Sequence, residues 1–471
     1  MNIKKTFLTC VQIIILSTAV MAQSQEVQVE KTPEGWKMMI DGEATIINGM
    51  NWDYFPRGTN FSYSLWNQSP DLIKKALDDE MGMLKNMGVN AIRVYTGIQP
   101  EWITYIYENY GIYTMLNHSF GRYGLTIDGA WIANTEYSDP RVKKLLMEEV
   151  TEMVETYKDT PGLLLFLLGN ENNYGLFWEG AETEDIPIED RKSTIRARAM
   201  YKLMNEATVA MQSIDSSHPV AICNGDLLFL DLISEEAPDV DILGINVYRG
   251  ITFTDMFDRV RDEYGKPILL TEFGSDAFNA QTLSEDQEAQ AFYQRGNWME
   301  IYGNAAGLGG ADNSLGGFTF QFSDGWWKYG QTENLNVHDI NASWANGGYQ
   351  FDFVEGTNNM NEEWFGIAAK GPTKVDGTYE LFPRAAYYVL QEAHQFDPYA
   401  EGADRESLMQ HFADISLQSA ELKARADKAA LVSNSGGAIK LSRFTADFRT
   451  YNTGGSLITT PEDADPTANV F

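Results

Sequence analysis

Two glutamates stand where apolar runs end, and their chemistry is that of a carboxyl pair. Glu171 closes Leu163-Leu164-Leu165-Phe166-Leu167-Leu168-Gly169-Asn170-Glu171, and Glu272 sits in Pro267-Ile268-Leu269-Leu270-Thr271-Glu272-Phe273-Gly274. A continuous apolar run of this kind reads as a strand buried on both faces. A carboxylate where such a strand emerges lies at the rim of a parallel sheet, the edge at which α/β folds keep their chemistry. Paired carboxyls there can cleave a glycosidic bond. One, protonated, gives its proton to the leaving oxygen; the other, ionised and about 5–5.5 Å away, attacks the sugar carbon when configuration is retained.

The neighbours of the pair fit that task. Asn170, beside Glu171, can hydrogen-bond a sugar hydroxyl. Arg93, in Ala91-Ile92-Arg93-Val94-Tyr95, is a cation able to hold Glu272 ionised. Tyr248, in Gly244-Ile245-Asn246-Val247-Tyr248, is placed to donate a hydrogen bond to the same group. Singly these are weak signals, because a Gly-Asn-Glu triplet is often a turn and an acid after a strand is often a helix cap. Their order along the chain makes them specific.

The elements that must carry these residues alternate. Val27, Val29, Trp36, Met38 and Ile40 recur with period two around Thr32-Pro33-Glu34-Gly35, which predicts a hairpin closing one end of a domain. Strands are then expected at 44–49, 91–95, 113–117, 163–168, 220–223, 242–247, 268–271 and 317–322. Amphipathic helices are expected at 72–87, 141–157, 194–214, 253–264, 288–302 and 384–394. Eight strands, most followed by a helix, predict an α/β fold, a closed (β/α)8 TIM barrel with an N-terminal hairpin and a small C-terminal extension.

The loop after the first strand carries Trp52, Tyr54, Phe55, Phe61, Tyr63 and Trp66, and the long loop after the eighth carries Trp326, Trp327, Tyr329 and Trp344. Flat aromatic rings suit the apolar faces of sugars, and Trp326 and Trp327 are candidates for that contact; the alternative is that such rings pack their own loops. Beyond Tyr399 the texture becomes polar and Ala-rich. The expected division is a leader over 1–22, a catalytic barrel over 23–399 and an appended module or tail over 400–471.

Composition bounds the rest. At 471 residues, 44% hydrophobic and 22% charged, the chain is globular. Lys4 and Lys5, the apolar stretch Phe7 to Val20 and Val20-Met21-Ala22 predict a signal peptide, hence export to a periplasmic or extracellular space. No later run reaches the ~18 apolar residues of a membrane span. A net charge of −32 repels nucleic acid and disfavours a polyanionic substrate unless a local basic pocket exists. The five histidines show no zinc spacing, so no metal and no cofactor is expected. His118 is either a substrate contact or a structural histidine. The expected partner is an oligosaccharide or polysaccharide; composition leaves the oligomeric state open.

These motifs resemble the catalytic barrel of the clan A retaining glycoside hydrolases: Arg93 on strand two, Asn170-Glu171 after strand four and Glu272 on strand seven. Glycoside hydrolase family 2 is similar at Asn170-Glu171 and at Glu363-Trp364-Phe365-Gly366-Ile367. The β-1,3-glucanosyltransferases of family 72 are similar at Ile92-Arg93-Val94-Tyr95, Phe166 to Glu171, Gly244 to Tyr248 and Thr271-Glu272-Phe273-Gly274. The second resemblance implies that Tyr95, Asn117, Asn170 and Tyr248 line the donor-sugar site, with Asp53 where that family has a nearby glutamine. It also implies β-1,3-glucan as substrate, with hydrolysis or transglycosylation through a covalent glycosyl-enzyme. That family has an aspartate at the position of Asn117, and paired cysteines where this chain keeps only Cys223 after leader removal. The competing expectation is a non-catalytic sugar-binding protein on an inactive barrel.

Overall fold

The structure, a computed structural model, describes residues 24–95, 97–177 and 186–434, with the pairs 450–451 and 457–458. The leader reading of 1–22, the strand-like alternation at 439–449 and the tail end at 461–471 lie outside the described residues.

Eight parallel strands close on themselves in sequence order. They are β1 (Ile47–Asn51), β2 (Ala91–Val94), β3 (Tyr113–His118), β4 (Leu163–Leu168), β5 (Val220–Gly225), β6 (Ile242–Asn246), β7 (Ile268–Phe273) and β8 (Ser314–Thr319). One helix follows each: α1 (Pro70–Asn86), α2 (Pro100–Tyr110), α3 (Pro140–Tyr157), α4 (Lys192–Ile214), α5 (Leu230–Glu236), α6 (Met256–Glu263), α7 (Gln287–Gly303) and α8 (Ala385–Ala393). This is the (β/α)8 barrel that the alternation predicts.

Its departures from expectation have local causes. Helix α2 reads Pro-Glu-Trp-Ile-Thr-Tyr-Ile-Tyr-Glu-Asn-Tyr, rich in β-branched and aromatic residues that favour strands. Pro100 at its first turn and Gly111 in the left-handed conformation at its end delimit it. Strand β8 begins three residues earlier than the apolar pattern suggests, because Ser314-Leu315-Gly316-Gly317 reads as a turn. Close packing demands those glycines: a Cβ on Gly317 would lie 2.8 Å from the Phe273 ring. Residues Glu43–Thr45 leave the barrel and pair with Gly35–Ile40 in a three-stranded antiparallel sheet with Val27–Thr32.

That sheet plugs the N-terminal end of the barrel. Val27, Met38 and Ile40 pack against Ile47, Ala91, Leu165, Ile242 and Leu269 from the strands. Outside the barrel, a second apolar layer joins strands to helices. It extends into α9 (Arg405–Asp414) and α10 (Leu417–Asn434), whose Leu408, Phe412, Ala420 and Ala424 belong to the same core as α7 and α8. Arg295 on α7 donates to the Ile415 carbonyl (2.9 Å) and Tyr388 on α8 donates to Asp427 (2.6 Å). The described part of the C-terminal extension therefore thickens the helical layer.

Candidate active site

Strand β7 delivers Glu272 to the mouth with the residue only 7% exposed. Arg93, fully buried on β2, reaches across: its Nη1 donates to Glu272 Oε1 at 2.9 Å. The Tyr95 hydroxyl donates to the same oxygen (2.5 Å) and Tyr248, after β6, donates to Oε2 (3.2 Å). The groups hydrogen-bonded to Glu272 are all donors, the surroundings of an anion.

Arg93 is itself held. Asn117 Oδ1 accepts from its Nε (3.1 Å) and Nη2 (2.7 Å), and Asn170 Oδ1 accepts from Nη2 (2.8 Å). The Asn117 amide nitrogen donates to the Gly169 and Leu167 carbonyls (2.8 and 3.3 Å). Asn117 is buried with both ends of its amide engaged, and it braces Arg93.

Glu171 sits just past β4, in a left-handed backbone conformation (φ 57°) after Gly169 (φ 84°). Such a conformation is unusual outside glycine and is typical of functional turns. The turn is pinned by the Glu171 N–H donating to the Cys223 carbonyl on β5 (3.1 Å). Burial, and secondarily the nearby Glu272 charge, push the Glu171 carboxyl up to about 7, against the pull of an Asn246 hydrogen bond and the Arg122 and Arg93 charges. One carboxyl is thus wrapped in donors, while the other is poised to carry a proton at neutral pH.

Asn246, at the end of β6, is not singled out by the sequence reading, and it joins the two halves. Its Nδ2 donates to Glu171 Oε1 (3.2 Å) and Asn170 Oδ1 (3.0 Å); its Oδ1 accepts from Thr271 Oγ1 (2.7 Å) and Arg93 Nη1 (3.3 Å). Asn51 at the end of β1 accepts from Tyr95 (3.1 Å). Both asparagines close apolar strands, as Asn170 does, and that shared position is the signal that could have found them. Tyr123 and Arg122, after β3, carry no periodic signal; the Asn170 amide donates to the Tyr123 hydroxyl (2.8 Å) and Arg122 Nε donates to the Asn170 carbonyl (3.0 Å). The Cys223 thiol lies under Asn246 (3.2 Å), and burial pushes it up to about 11, a packed and protonated group.

The remaining candidates separate. Asp53 follows β1, and burial pushes its carboxyl up to about 7 against the opposing charges of Arg93 and Lys370. Trp326 is buried, stacked between the Arg57 guanidinium of the loop after β1 (3.7 Å) and His338 of its own loop (4.7 Å). Trp327 is half-buried against Phe55 (5.5 Å) and Phe61 (6.0 Å). Two aromatics of the long loop, Phe365 and Trp344, stand edge-on to Tyr248 at 5.7 and 5.8 Å. His118 accepts the Phe120 N–H (3.2 Å) and faces Glu149 (3.4 Å), a structural role. Among the described residues, no cluster of His, Cys, Asp or Glu has metal-binding geometry, and no helix is long and apolar enough to cross a membrane.

A closed parallel barrel with a carboxyl pair at its C-terminal mouth is equipped as glycoside hydrolases are. The model of the glycosyl hydrolases family 2 TIM barrel domain matches residues 72–324, more than half of the chain, and the chain belongs to that family. It is 24% identical over 139 residues to a β-galactosidase of Leuconostoc mesenteroides, covering 29% of this chain and 12% of that protein. It is likewise 24% identical over 143 residues to a β-galactosidase of Lactococcus lactis, covering 30% and 13%. The chain thus spans well under two thirds of these relatives' length. Among solved structures, two β-glucuronidase structures from Bacteroides uniformis superpose with a TM-score of 0.50, at 15% and 14% identity, over 79% of this chain and 37% of theirs. At that identity the likeness shows the fold. Of the two families resembled, family 2 is the one matched.

Proposed function

We propose that this chain is a retaining β-glycosidase in which Glu272 is the nucleophile and Glu171 the acid/base. The observation that carries the reading is the division of labour between the two carboxyls. Glu272 accepts from an arginine and two tyrosine hydroxyls, whereas the Glu171 carboxyl is raised to about 7. In the first step Glu272 attacks the anomeric carbon while Glu171 protonates the departing oxygen. A covalent glycosyl-enzyme forms, and Glu171, now ionised, takes a proton from the incoming water, which opens it. A sugar hydroxyl can replace that water, so transglycosylation shares the same intermediate.

The relatives' names direct the choice of sugar. β-Galactosides and β-glucuronides become the first substrates to test, in place of the β-1,3-glucan implied by the family 72 resemblance, because the matched family's relatives carry those activities in their names. Export remains part of the proposal, on the strength of the basic start and apolar stretch of residues 1–22. The test is turnover of aryl β-galactosides, β-glucuronides and β-glucosides by the wild type and Glu272→Gln. Turnover that disappears with the substitution supports the assignment, and turnover that survives it refutes it.

A further inference from the structure

The exposed aromatic rings are distributed unevenly. Among the described residues, every exposed Phe, Tyr or Trp lies in the loops that leave β1, β3, β4 and β8 at the mouth, and none lies on the outer helices. Scattered apolar exposure is ordinary and needs no explanation, whereas rings gathered around one opening do.

Two of these rings are joined to the catalytic pair by a continuous path. Tyr123 is 50% exposed, yet its hydroxyl takes the hydrogen bond of the Asn170 amide, one residue from Glu171. The next residue, Gly124, has φ 96°, and a Cβ there would lie 2.6 Å from Trp131 Cζ2. Trp131 therefore lies against bare backbone, a fit that only glycine permits. It is carried by a small hairpin, Leu125–Ile127 with Ala130–Ile132, in which it faces Thr126. Its indole is braced on one side by Gly124 and remains 65% exposed. An indole fixed this way gains nothing for the fold from its open surface. It is preorganised to receive a flat apolar partner without further ordering cost.

From this path we infer that the loop after β3 forms an extended sugar-binding platform, with Tyr123 the first step out from the catalytic position and Trp131 a step beyond. The inference rests on the glycosidase reading and deepens it. The natural substrate is a β-linked oligosaccharide or polysaccharide long enough to reach Trp131, rather than a small glycoside held by the catalytic residues alone. Aromatic platforms read the apolar C–H faces of sugar rings, so the recognised segment is uncharged on the face it stacks, in keeping with the net charge of −32.

The test is a length series. β-1,3-, β-1,4- and β-1,6-linked oligosaccharides of two to about six sugars are given to the wild type, Trp131→Ala and Trp131→Phe, and kcat/KM is compared within each protein. For the cleaved linkage, wild-type kcat/KM should rise by about tenfold or more between the shortest and longest members, the scale of one well-packed aromatic contact. Trp131→Ala should flatten that rise and Trp131→Phe should keep most of it. Because the ratio is taken within one protein, a general loss of folded enzyme cancels. The same oligosaccharides are titrated into Glu272→Gln, with and without Trp131→Ala. Length-dependent binding that Trp131→Ala weakens, with no product from the wild type, would keep the platform and sink the hydrolase reading. A flat length series, or a steep one that Trp131→Ala leaves steep, overturns the platform and assigns the exposed indole to a protein contact instead.

Discussion

The two ends of the barrel are built from the same eight strands and do opposite work. At the N-terminal end, Val27, Met38 and Ile40 of the plug meet an apolar strand set, and little there can react. At the mouth, the last residues of β1, β2, β3, β6 and β7 include Asn51, Arg93, Asn117, Asn246 and Glu272, all buried; Arg93 bonds Asn117, Asn246 and Glu272, and Asn51 joins them through Tyr95. A buried polar network is costly unless every member is satisfied, so the mouth spends folding free energy on fixed dipoles while the plug supplies apolar burial. The contrast teaches that substitutions at the two ends should separate rate from stability.

The largest separation is expected at Glu272. Glu272→Gln should lower kcat by roughly 10⁴-fold or more, as removal of a nucleophile does. Thermal unfolding of the variant should stay close to the wild type, because the amide oxygen can still accept from Arg93 and Tyr95 while the amide nitrogen donates to the Tyr248 hydroxyl. At the opposite end, Met38→Ala should cost about 2–5 kcal/mol of stability, the range for a fully buried methionine or leucine. Denaturant unfolding measures that loss, and kcat per folded molecule should not move.

A smaller effect is expected at Asn246, the link between the two carboxyls. Asn246→Ala removes the hydrogen bond to Glu171 and should lower kcat by roughly 10–100-fold. That hydrogen bond holds the Glu171 carboxyl down, so its loss should also move the alkaline limb of the pH–rate profile upward. In the wild type the sign is fixed by the first step, since Glu171 must be protonated to act. Activity should fall as pH rises through about 7. The smallest shift is expected for Arg122→Gln. The Arg122 charge also lowers the Glu171 carboxyl, so the limb should move up, by less at high salt than at low. A downward shift in either variant would show that the neighbours of Glu171 are misassigned.

Much of this contrast is written in the sequence as period and punctuation. The strand runs ending at Glu171 and Glu272 are apolar throughout, and such runs have few alternatives to a doubly covered parallel strand. The hairpin at 27–40 alternates cleanly and was legible for the same reason. Other features depend on approach in three dimensions. The family 72 resemblance implies a sugar contact at Asn117, whereas in the fold both ends of its amide are engaged, by Arg93 and by the Leu167 and Gly169 carbonyls. Trp326 and Trp131 are the same residue type in loops. One is enclosed between Arg57 and His338 and the other is propped open on Gly124, a distinction set by neighbours far along the chain or by a single glycine. Asn246 was visible in Gly244-Ile245-Asn246-Val247-Tyr248, but its bonds to Glu171 and Arg93 exist only once β6 stands between β5 and β7.

The central claim, that Glu272 is the nucleophile and Glu171 the proton carrier, is tested most directly by trapping the intermediate. The wild type is incubated with the 2-deoxy-2-fluoroglycosyl fluoride of the sugar it cleaves, and the modified peptide is sequenced by mass spectrometry. One adduct per chain is expected, on Glu272, and none in Glu272→Gln. An adduct on Glu171, or steady turnover with no covalent species at all, would contradict it.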